Sequence, residues 1–143
     1  MRLCSIASGS SGNCIYVGSE ATHLLVDVGI SGKKAEAGLN SLGLTGRDLD
    51  GILVTHEHMD HVAGLGVMAR KYDVPIYATL GTLEEIQKMG NLGKIDPELF
   101  REVKEDVKLT IKDLTVNPMK ISHDAAQPVG YRIAYGNKKV GIC

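Results

Sequence analysis

The sequence is poor in large aromatic residues: it has no tryptophan, and Phe100 is the single phenylalanine among 143 residues. Proteins that hold single-stranded nucleic acid by stacking need several rings on one surface, so an aromatic platform is not expected here. No apolar run is long enough to span a bilayer, and the first residues lack the charged and apolar regions of a signal peptide. These absences predict a cytoplasmic protein with no membrane partner.

Neither sign of charge is in excess, because 16 basic side chains are matched by 17 acidic ones. The chain as a whole therefore has no field that would attract nucleic acid or an anionic membrane. A local basic surface stays open as an alternative. The pairs Lys33-Lys34, Arg70-Lys71 and Lys138-Lys139 could meet on one face of the fold.

Cysteine is scarce, with Cys4, Cys14 and Cys143 far apart in sequence and no C-x-x-C spacing. An odd number of isolated cysteines argues against a disulfide framework and against a cysteine-rich metal site. The pattern predicts reduced thiols, which again indicates the cytoplasm.

Hydrophobic periodicity predicts strands at both ends of the chain. They cover residues 2–7, 14–17, 22–28, 50–55, 75–78, 107–111, 114–121, 129–135 and 138–142. Gly136-Asn137 suits a tight turn between the last two strands.

Helices are predicted between these groups of strands. One covers residues 31–42, with Ser31 as its N-cap and Gly43 as its end. A second covers residues 61–71, and a third starts at Thr82, where Glu85 would complete a capping box. Strands, then helices, then strands in a chain of this length predict a single α+β domain with layered sheets and helices.

Three histidines and an aspartate gather directly after an apolar strand, where His56, His58, Asp60 and His61 form the pattern H-x-H-x-D-H. Imidazole nitrogens and carboxylate oxygens are ligands that zinc and similar divalent ions prefer. In an extended segment His56 and His58 point the same way, and a following helical turn can aim Asp60 and His61 at a second ion. A solvated polar loop is the alternative, but chance would give this pattern with odds of roughly 10⁻⁴ to 10⁻³. The spacing therefore suits a two-metal site.

This pattern resembles the signature of the metallo-β-lactamase superfamily, and the resemblance extends from Leu3 to Cys143. The strand that ends at Asp27 is similar to the first motif of that family, and His123 resembles the histidine of its third. The opening Ser8-Gly9-Ser10-Ser11-Gly12-Asn13-Cys14 is similar to the bacterial YycJ/WalJ branch of exonucleases. Taken alone, His123 could be an ordinary loop histidine. The run from Ser8 to Asn13 could line the substrate cleft or be a plain turn.

The resemblance implies a role for each matching residue. His56, His58 and His123 would bind a first metal ion, and Asp60 and His61 a second. Asp60 would also act in catalysis by orienting the attacking water.

Two further residues of the motifs have other expected roles. The resemblance implies that Asp27 supports the metal-binding loop by hydrogen bonds rather than by binding metal. Glu57 separates two ligands and has no assigned role.

The resemblance also implies a fold in which two sheets lie between helices, in an αββα arrangement. The family completes its site with a later bridging aspartate and a later histidine, and no histidine follows His123. We therefore expect residues 1–143 to be one partial domain, the N-terminal half of this fold with its mixed sheet and flanking helices. Such a chain would hold no metal ion or one, against up to two in the full-length protein, and would form a homodimer through the face that the missing half covers.

The implied activity is hydrolysis by a water molecule that a divalent metal ion activates. Zinc is the favoured metal, and manganese or iron would also fit these ligands. The expected substrate of the full-length protein is nucleic acid or another phosphodiester, and the chain alone is expected to be inactive. The alternatives are a thioesterase or lactamase-like acyl hydrolase, and a non-catalytic metal-binding fragment that self-associates.

Overall fold

A computed structural model describes all residues, 1–143, and contains ten β-strands in two sheets. The first sheet consists of β1 (Arg2–Ala7), β2 (Cys14–Gly18), β3 (His23–Val26), β4 (Gly51–Leu53), β5 (Ile76–Thr79) and β6 (Phe100–Val103). The second consists of β7 (Leu109–Ile111), β8 (Leu114–Lys120), β9 (Val129–Tyr135) and β10 (Lys138–Ile142).

Four α-helices join the strands of the first sheet: α1 (Gly32–Ser41), α2 (Met59–Val62), α3 (Leu65–Tyr72) and α4 (Leu80–Lys88). Short 3-10 helices lie at Gly46–Asp48, Gly90–Leu92 and Pro97–Leu99. None of the helices is both long and apolar enough to cross a membrane.

The first sheet is mixed, in the order β1-β2-β3-β4-β5-β6. The first three strands pair antiparallel, and β3, β4, β5 and β6 pair in parallel. The carboxyl ends of β3 and β4 therefore lie at the same edge, with Val26 beside Leu53. Residues that follow these two strands are brought together by this topology.

The second sheet is an antiparallel meander in the order β10-β9-β8-β7. Its last hairpin turns at Gly136, whose φ of 58° suits glycine. The predicted bounds of β9 and β10 are confirmed residue for residue.

The apolar residues divide between two cores because side chains alternate along each strand. Leu25 of β3 faces the core that the first sheet shares with all four helices. Its neighbours Leu24 and Val26 face the core between the two sheets. The fold is thus a helical layer, a mixed sheet and a second sheet, and the α+β prediction is confirmed.

Two helix predictions are wrong in detail. The segment predicted as one helix over 61–71 is two helices, α2 and α3, separated at Gly64. A Cβ at Gly64 would lie 2.1 Å from the carbonyl oxygen of Ile30, so the chain makes a close approach there that breaks the helix. The third helix begins at Leu80 with Thr79 as its N-cap, and Thr82 lies inside it rather than capping it.

Other predicted strand boundaries differ from the observed ones, and one strand was not predicted. The predicted strand 22–28 ends at Val26 because Asp27 adopts a φ of 62°, outside the β region. Strand β6 was not predicted. Its sequence, Phe-Arg-Glu-Val, has two charged residues between two apolar ones, and this does not show the alternation of apolar and polar residues that indicates a strand. Helix α1 has the predicted cap, with Ser31 accepting a hydrogen bond from Lys34 N.

The three basic pairs do not share a face. Lys33-Lys34 on α1 and Arg70-Lys71 on α3 lie in the helical layer, whereas Lys138-Lys139 lie on β10 of the second sheet. The first sheet separates these two groups, so that expectation is wrong.

Candidate metal centre

Three chain segments meet at one edge of the sheets to form the site. Asp27 directly follows β3, the segment from Thr55 follows β4, and His123 lies in the loop after β8. The second sheet is fastened to the end of β4 by Val129 N, which donates to Thr55 O at 3.0 Å, and by the Tyr131 hydroxyl, which donates to Val54 O at 2.8 Å. These bonds bring the His123 loop to the histidines that follow β4.

His56, His58 and His123 converge on one point. One ring nitrogen from each lies within 4.8 Å of the other two. Ligand nitrogens at 2.0–2.1 Å from a tetrahedral zinc ion lie about 3.3 Å from one another. Small movements of the three histidine side chains would therefore bring their nitrogens to the distances that zinc requires. Three neutral imidazoles also leave a coordination position open, as in catalytic sites, and the donor set therefore fits one divalent ion.

The hydrogen-bond chain behind His56 fixes which of its nitrogens is free. The Thr55 hydroxyl donates its proton to Asp27 Oδ2 at 2.7 Å, so its oxygen accepts from His56 Nδ1 at 2.9 Å. Nε2 then carries the lone pair, as a metal ligand requires. Burial, followed by repulsion from the neighbouring imidazoles, lowers the pKa of His56 from 6.5 to about 4, so the ring is neutral at pH 7.

Asp27 is the buried carboxylate that organises this edge. Its Oδ1 accepts from Thr55 N at 2.8 Å, and its Oδ2 accepts from the Thr55 hydroxyl and from His61 Nδ1 at 2.6 Å. Burial raises the pKa of Asp27, and the hydrogen bonds from His61 and Thr55 oppose that shift. Asp27 thus orients His61 directly and His56 through Thr55.

Asp60 and His61 form a pair beside the three-histidine cluster. The ring centroids of His56 and His61 are 4.0 Å apart, and His61 Nε2 lies 3.6 Å from Asp60 Oδ2. Burial lowers the pKa of His61, but the hydrogen bond and charge of Asp27, with the charge of Asp60, raise it above 6.5 overall. The Asp60 side chain is 38% exposed and can reach solvent.

Asn13 in the opening Ser/Gly segment also belongs to this site, although sequence analysis assigned it no individual role. Its side-chain nitrogen lies 3.3 Å from His61 Nε2, 3.2 Å from Asp60 O and 3.5 Å from Asp60 Oδ2. Because His61 Nδ1 donates to Asp27, Nε2 holds the lone pair and is an acceptor for Asn13. It shares the two amide hydrogens of Asn13 with Gly9 O at 3.0 Å and with Asp60 O. The resemblance of the opening segment to one branch was the only signal, and it did not single out Asn13.

The opening segment is also joined to the metal loop through the backbone. Asn13 N donates to Asp60 O at 2.8 Å, and Gly29 N donates to Asn13 O at 2.7 Å. A Cβ at Gly29 would lie 1.7 Å from Asp60 O, so only glycine permits this approach.

Glu57, which had no predicted role, connects the metal loop to the His123 loop. Its Oε2 accepts from Ala126 N at 3.0 Å, and its Oε1 is buried without a partner. The His123 loop is held from its other side by Gln127, whose Oε1 accepts from Gly81 N at 3.0 Å and whose backbone oxygen accepts from the Thr79 hydroxyl at 2.8 Å. The position of His123 therefore depends on contacts far away in sequence.

The predicted site residues come together in two groups. The three expected ligands of the first ion form one cluster, and Asp60 and His61 form the adjacent pair. Asp27 has the hydrogen bonds that the resemblance implied. The ligand and catalytic roles themselves stay predictions.

Comparisons with known proteins concern the chain as a whole. Residues 7–143 match the family model described as "Metallo-beta-lactamase superfamily". The exodeoxyribonuclease YycJ of Bacillus anthracis is 45% identical over 138 residues, which are 96% of this chain and 51% of that protein. The exodeoxyribonuclease WalJ of Streptococcus pneumoniae is 40% identical over 133 residues, which are 93% of this chain and 49% of that protein. The chain thus spans about half the length of the curated relatives it matches.

Solved structures share the fold at low sequence identity. The Rm3 metallo-beta-lactamase has a TM-score of 0.77 and 17% identity, over 97% of this chain and 56% of that one. A HARLDQ-motif mutant of a Cronobacter sakazakii metallo-beta-lactamase has a TM-score of 0.81 and 13% identity, over 97% and 59%. At these identities the similarity concerns the fold alone.

Proposed function

The chain belongs to the metallo-beta-lactamase superfamily, and from this premise we propose that it is the metal-binding part of a phosphodiester hydrolase, a DNA exonuclease in its longer form. The observation that carries the proposal is the convergence of His56, His58 and His123, whose ligand atoms lie within 4.8 Å of one another. Relatives named exodeoxyribonucleases, at 45% and 40% identity, favour nucleic acid over other substrates.

The three histidines bind one divalent metal ion, and zinc is the preferred metal because it favours neutral imidazole nitrogens. Manganese and iron fit the same residues. When bound, the ion supplies a Lewis acid that stabilises negative charge and makes water more acidic.

The chain's own residues prepare the site for this chemistry. Asp27 and Thr55 hold His56 in the tautomer whose Nε2 is free. Asp60, with a partly exposed carboxylate beside the cluster, accepts a hydrogen bond from the attacking water and orients it. His61 is fixed between Asp27 and Asn13 and takes part in binding a second ion only when further ligands are supplied.

Residues 1–143 form one part of the complete domain and do not hydrolyse substrate by themselves. The coverage of about half of each relative supports this, as does the pairing of Asp60 and His61 without a third ligand. The three cysteines are all free, which supports a cytoplasmic location.

A weak homodimer is part of the same proposal, because β10 is an edge strand of the second sheet with one side unpaired. Sedimentation equilibrium at increasing protein concentration tests it. A mass that stays at 15.3 kDa throughout rejects the dimer and leaves the metal site untouched.

The experiment for the function joins metal binding to hydrolysis. Zinc or manganese is titrated into the chain, and cleavage of bis-p-nitrophenyl phosphate and of single-stranded DNA is then followed. We expect metal binding that His58→Ala abolishes and no hydrolysis by this chain, with hydrolysis by the longer protein. His23→Gln is the matched control, since His23 lies apart from the cluster, hydrogen-bonded to Tyr16. Metal binding that survives His58→Ala would reject the assigned site.

A further inference from the structure

A cavity of about 430 Å³ lies beside the metal centre, and His123 is part of its wall. The rest of the wall comes from Glu105, in the connection between β6 and β7, and from residues between Lys120 and Pro128, which link β8 to β9. We call it the His123 cavity. It extends the candidate metal centre towards the connection between the two sheets, and the roles assigned so far do not use it.

The His123 cavity lies away from the face that the missing half is expected to cover. Along β8, Leu114 and Val116 are buried between the two sheets. Lys120 has the same parity and pairs with Val129, which is buried there too, so Lys120 lies on the inner face of the second sheet. The missing half is expected on the outer face and beside β10, at the opposite edge of this sheet from β7. The cavity is therefore accessible in the longer protein as well.

The cavity combines a cation, a carboxylate and an amide. Lys120 is exposed, Glu105 is half-buried, and neither takes part in an ion pair. Gln127 Oε1 accepts from Gly81 N at 3.0 Å, which fixes the orientation of the amide. Its Nε2 makes only a long contact of 3.5 Å with Glu105 Oε1. A ligand in the cavity therefore meets a positive charge, a strong acceptor and a donor.

These groups are held in place before any ligand binds. The backbone oxygen of Gln127 accepts from the Thr79 hydroxyl at 2.8 Å, and Ala126 N donates to Glu57 Oε2 at 3.0 Å. Lys120 lies at the end of a paired strand. Because the wall is already ordered, a ligand does not have to supply the free energy that ordering would cost.

The mixture of charges restricts the class of ligand. A bare inorganic anion is disfavoured, because the Glu105 carboxylate would repel it. A suitable ligand has an anionic group for Lys120 and an N–H group for Glu105. The Watson–Crick edge of every nucleobase has an N–H group and an acceptor, which match Glu105 and Gln127 Nε2, and only an unpaired base exposes that edge.

The size agrees with one nucleotide. Binding sites for small ligands have volumes of about 300–1,000 Å³, and this cavity is near the lower end of that range. It accommodates a single nucleotide, whereas the end of a duplex needs more room. Ile121 and Pro128 add apolar wall against which a base can pack.

We propose that the His123 cavity binds one unpaired nucleotide beside the phosphate that is cleaved. Glu105 accepts from the base, Gln127 Nε2 donates to it, and Lys120 binds a backbone phosphate. Lys120 lies three residues before His123, so the chain separates them by at most about 10 Å, and one strand can reach both. The inference rests on the proposed nuclease function and names its substrate as an unpaired strand with any base.

The test uses the 143-residue chain in EDTA, so that binding in the cavity is separated from metal chemistry. Deoxycytidine 5′-monophosphate is titrated into the ¹⁵N-labelled chain, and the side-chain amide signals of Gln127 are followed by NMR. The comparison probes are 2-deoxyribose 5-phosphate, which lacks the base, and inorganic phosphate. The variants are Glu105→Gln and Lys120→Met. Their matched controls are Glu84→Gln on α4 and Lys33→Met on α1, both at exposed positions.

We expect the nucleotide to shift the Gln127 signals and inorganic phosphate to leave them unchanged. Glu105→Gln should weaken nucleotide binding about tenfold and leave binding of the sugar phosphate unchanged, because it removes a charged acceptor for the base. Lys120→Met should weaken binding of both probes about tenfold, since both carry phosphate. The control variants should change neither affinity. The backbone amide spectrum of each variant checks its fold.

Two results would overturn the proposal. If the sugar phosphate bound as tightly as the nucleotide, the cavity would recognise an anion and not a base. Equal nucleotide affinities in the wild type and Glu105→Gln would likewise remove the base contact. The hydrolase function fails separately: loss of zinc binding with intact nucleotide binding would reject that function and keep the nucleotide site, and zinc binding without nucleotide binding would do the reverse.

Discussion

The three-histidine cluster and the Asp60–His61 pair lie side by side, yet they are built in opposite ways. In the cluster, His56, His58 and His123 point ligand nitrogens at one another, and nothing in the protein occupies the point between them. In the pair, His61 has both ring nitrogens in hydrogen bonds, one to Asp27 and one from Asn13. One position is open to a metal ion, and the other is closed by the protein itself.

Under the proposed function, this difference means that only one of two metal positions is prepared in this chain. Asp27 serves both positions, because its carboxylate reaches His61 directly and His56 through Thr55. In the cluster this orientation leaves the Nε2 lone pair of His56 free, whereas His61 Nε2 lies 3.3 Å from the Asn13 side-chain nitrogen. We therefore expect the cluster to bind a metal ion in this chain. The Asp60–His61 pair should bind one only when further ligands are supplied from outside residues 1–143.

The largest expected effect on zinc affinity is the difference between removing a histidine of the cluster and removing the histidine of the Asp60–His61 pair. His56→Ala removes a ligand from the cluster and should weaken zinc binding by at least about 100-fold, more than the loss of an orienting partner usually costs. His61→Ala should change it by less than about tenfold. Isothermal titration calorimetry measures both. Equal losses in the two variants would mean that the positions are not distinct.

A smaller effect is expected at Glu57, which holds the His123 loop by accepting from Ala126 N at 3.0 Å. Glu57→Ala should lower zinc affinity about tenfold, as loss of a supporting contact does. Glu57→Gln keeps an acceptor oxygen and should retain most of the affinity.

Hydrogen exchange of the Ala126 amide separates this positioning role from general instability. The exchange should become faster in Glu57→Ala and stay slow in Glu57→Gln. Glu84→Ala, at an exposed position on α4, is the control. If Glu57→Ala leaves both affinity and exchange unchanged, the contact does not position His123.

Substitution of Asn13 tests whether its hydrogen bond to His61 prevents the Asp60–His61 pair from binding a metal ion. Asn13→Ala removes the donor from His61 Nε2 together with the hydrogen bonds of the side chain to Gly9 and Asp60. At about 1 kcal/mol for each hydrogen bond, it should cost about 2–3 kcal/mol of folding free energy. Zinc affinity of the cluster should stay within about threefold, and a second, weak binding event should appear at high zinc. Chemical denaturation and calorimetry measure these, with Asn40→Ala on α1 as the control. A large loss of first-ion affinity would show that Asn13 supports the cluster instead.

The smallest effect is a difference in proton binding without metal. The pKa of His56 is lowered to about 4, whereas that of His61 is raised above 6.5. As pH falls, His61 should protonate first and His56 should stay neutral until about pH 4, which an NMR titration of the ring signals follows.

The two histidines also have opposite effects on stability. His56 binds fewer protons when folded, so its contribution to stability falls as pH drops from 6.5 towards 4. The contribution of His61 is fully present below pH 6.5 and is lost as pH rises through its folded pKa. Protonation in the reverse order would contradict the proposed hydrogen-bond chain.

The sequence alone predicted the residues of this site that lie close together along the chain. His56, His58, Asp60 and His61 lie within six residues after a strand, so their proximity follows from the chain itself. Asp27 was predicted only because the strand that ends there resembles the first motif of the family, and the parallel pairing of β3 and β4 explains why it lies beside Thr55. His123 was reached only through the resemblance, since nothing near it in sequence indicates a ligand.

The rest depends on contacts between distant segments. Asn13 and Asp60 are 47 residues apart, and Glu57 and Ala126 are 69 apart. The periodicity of apolar residues along the sequence does not indicate contacts between residues so far apart. The break at Gly64 likewise results from its approach to Ile30, which a helical pattern cannot reveal.

The most direct test of the central claim is the number of metal ions that this chain binds. Equilibrium dialysis of the 143-residue chain against micromolar zinc, followed by elemental analysis, should find one ion per chain, and none in His56→Ala. Two ions per chain would contradict the claim that hydrogen bonds close the Asp60–His61 position. No bound zinc would contradict the claim that three convergent histidines are sufficient to bind the metal.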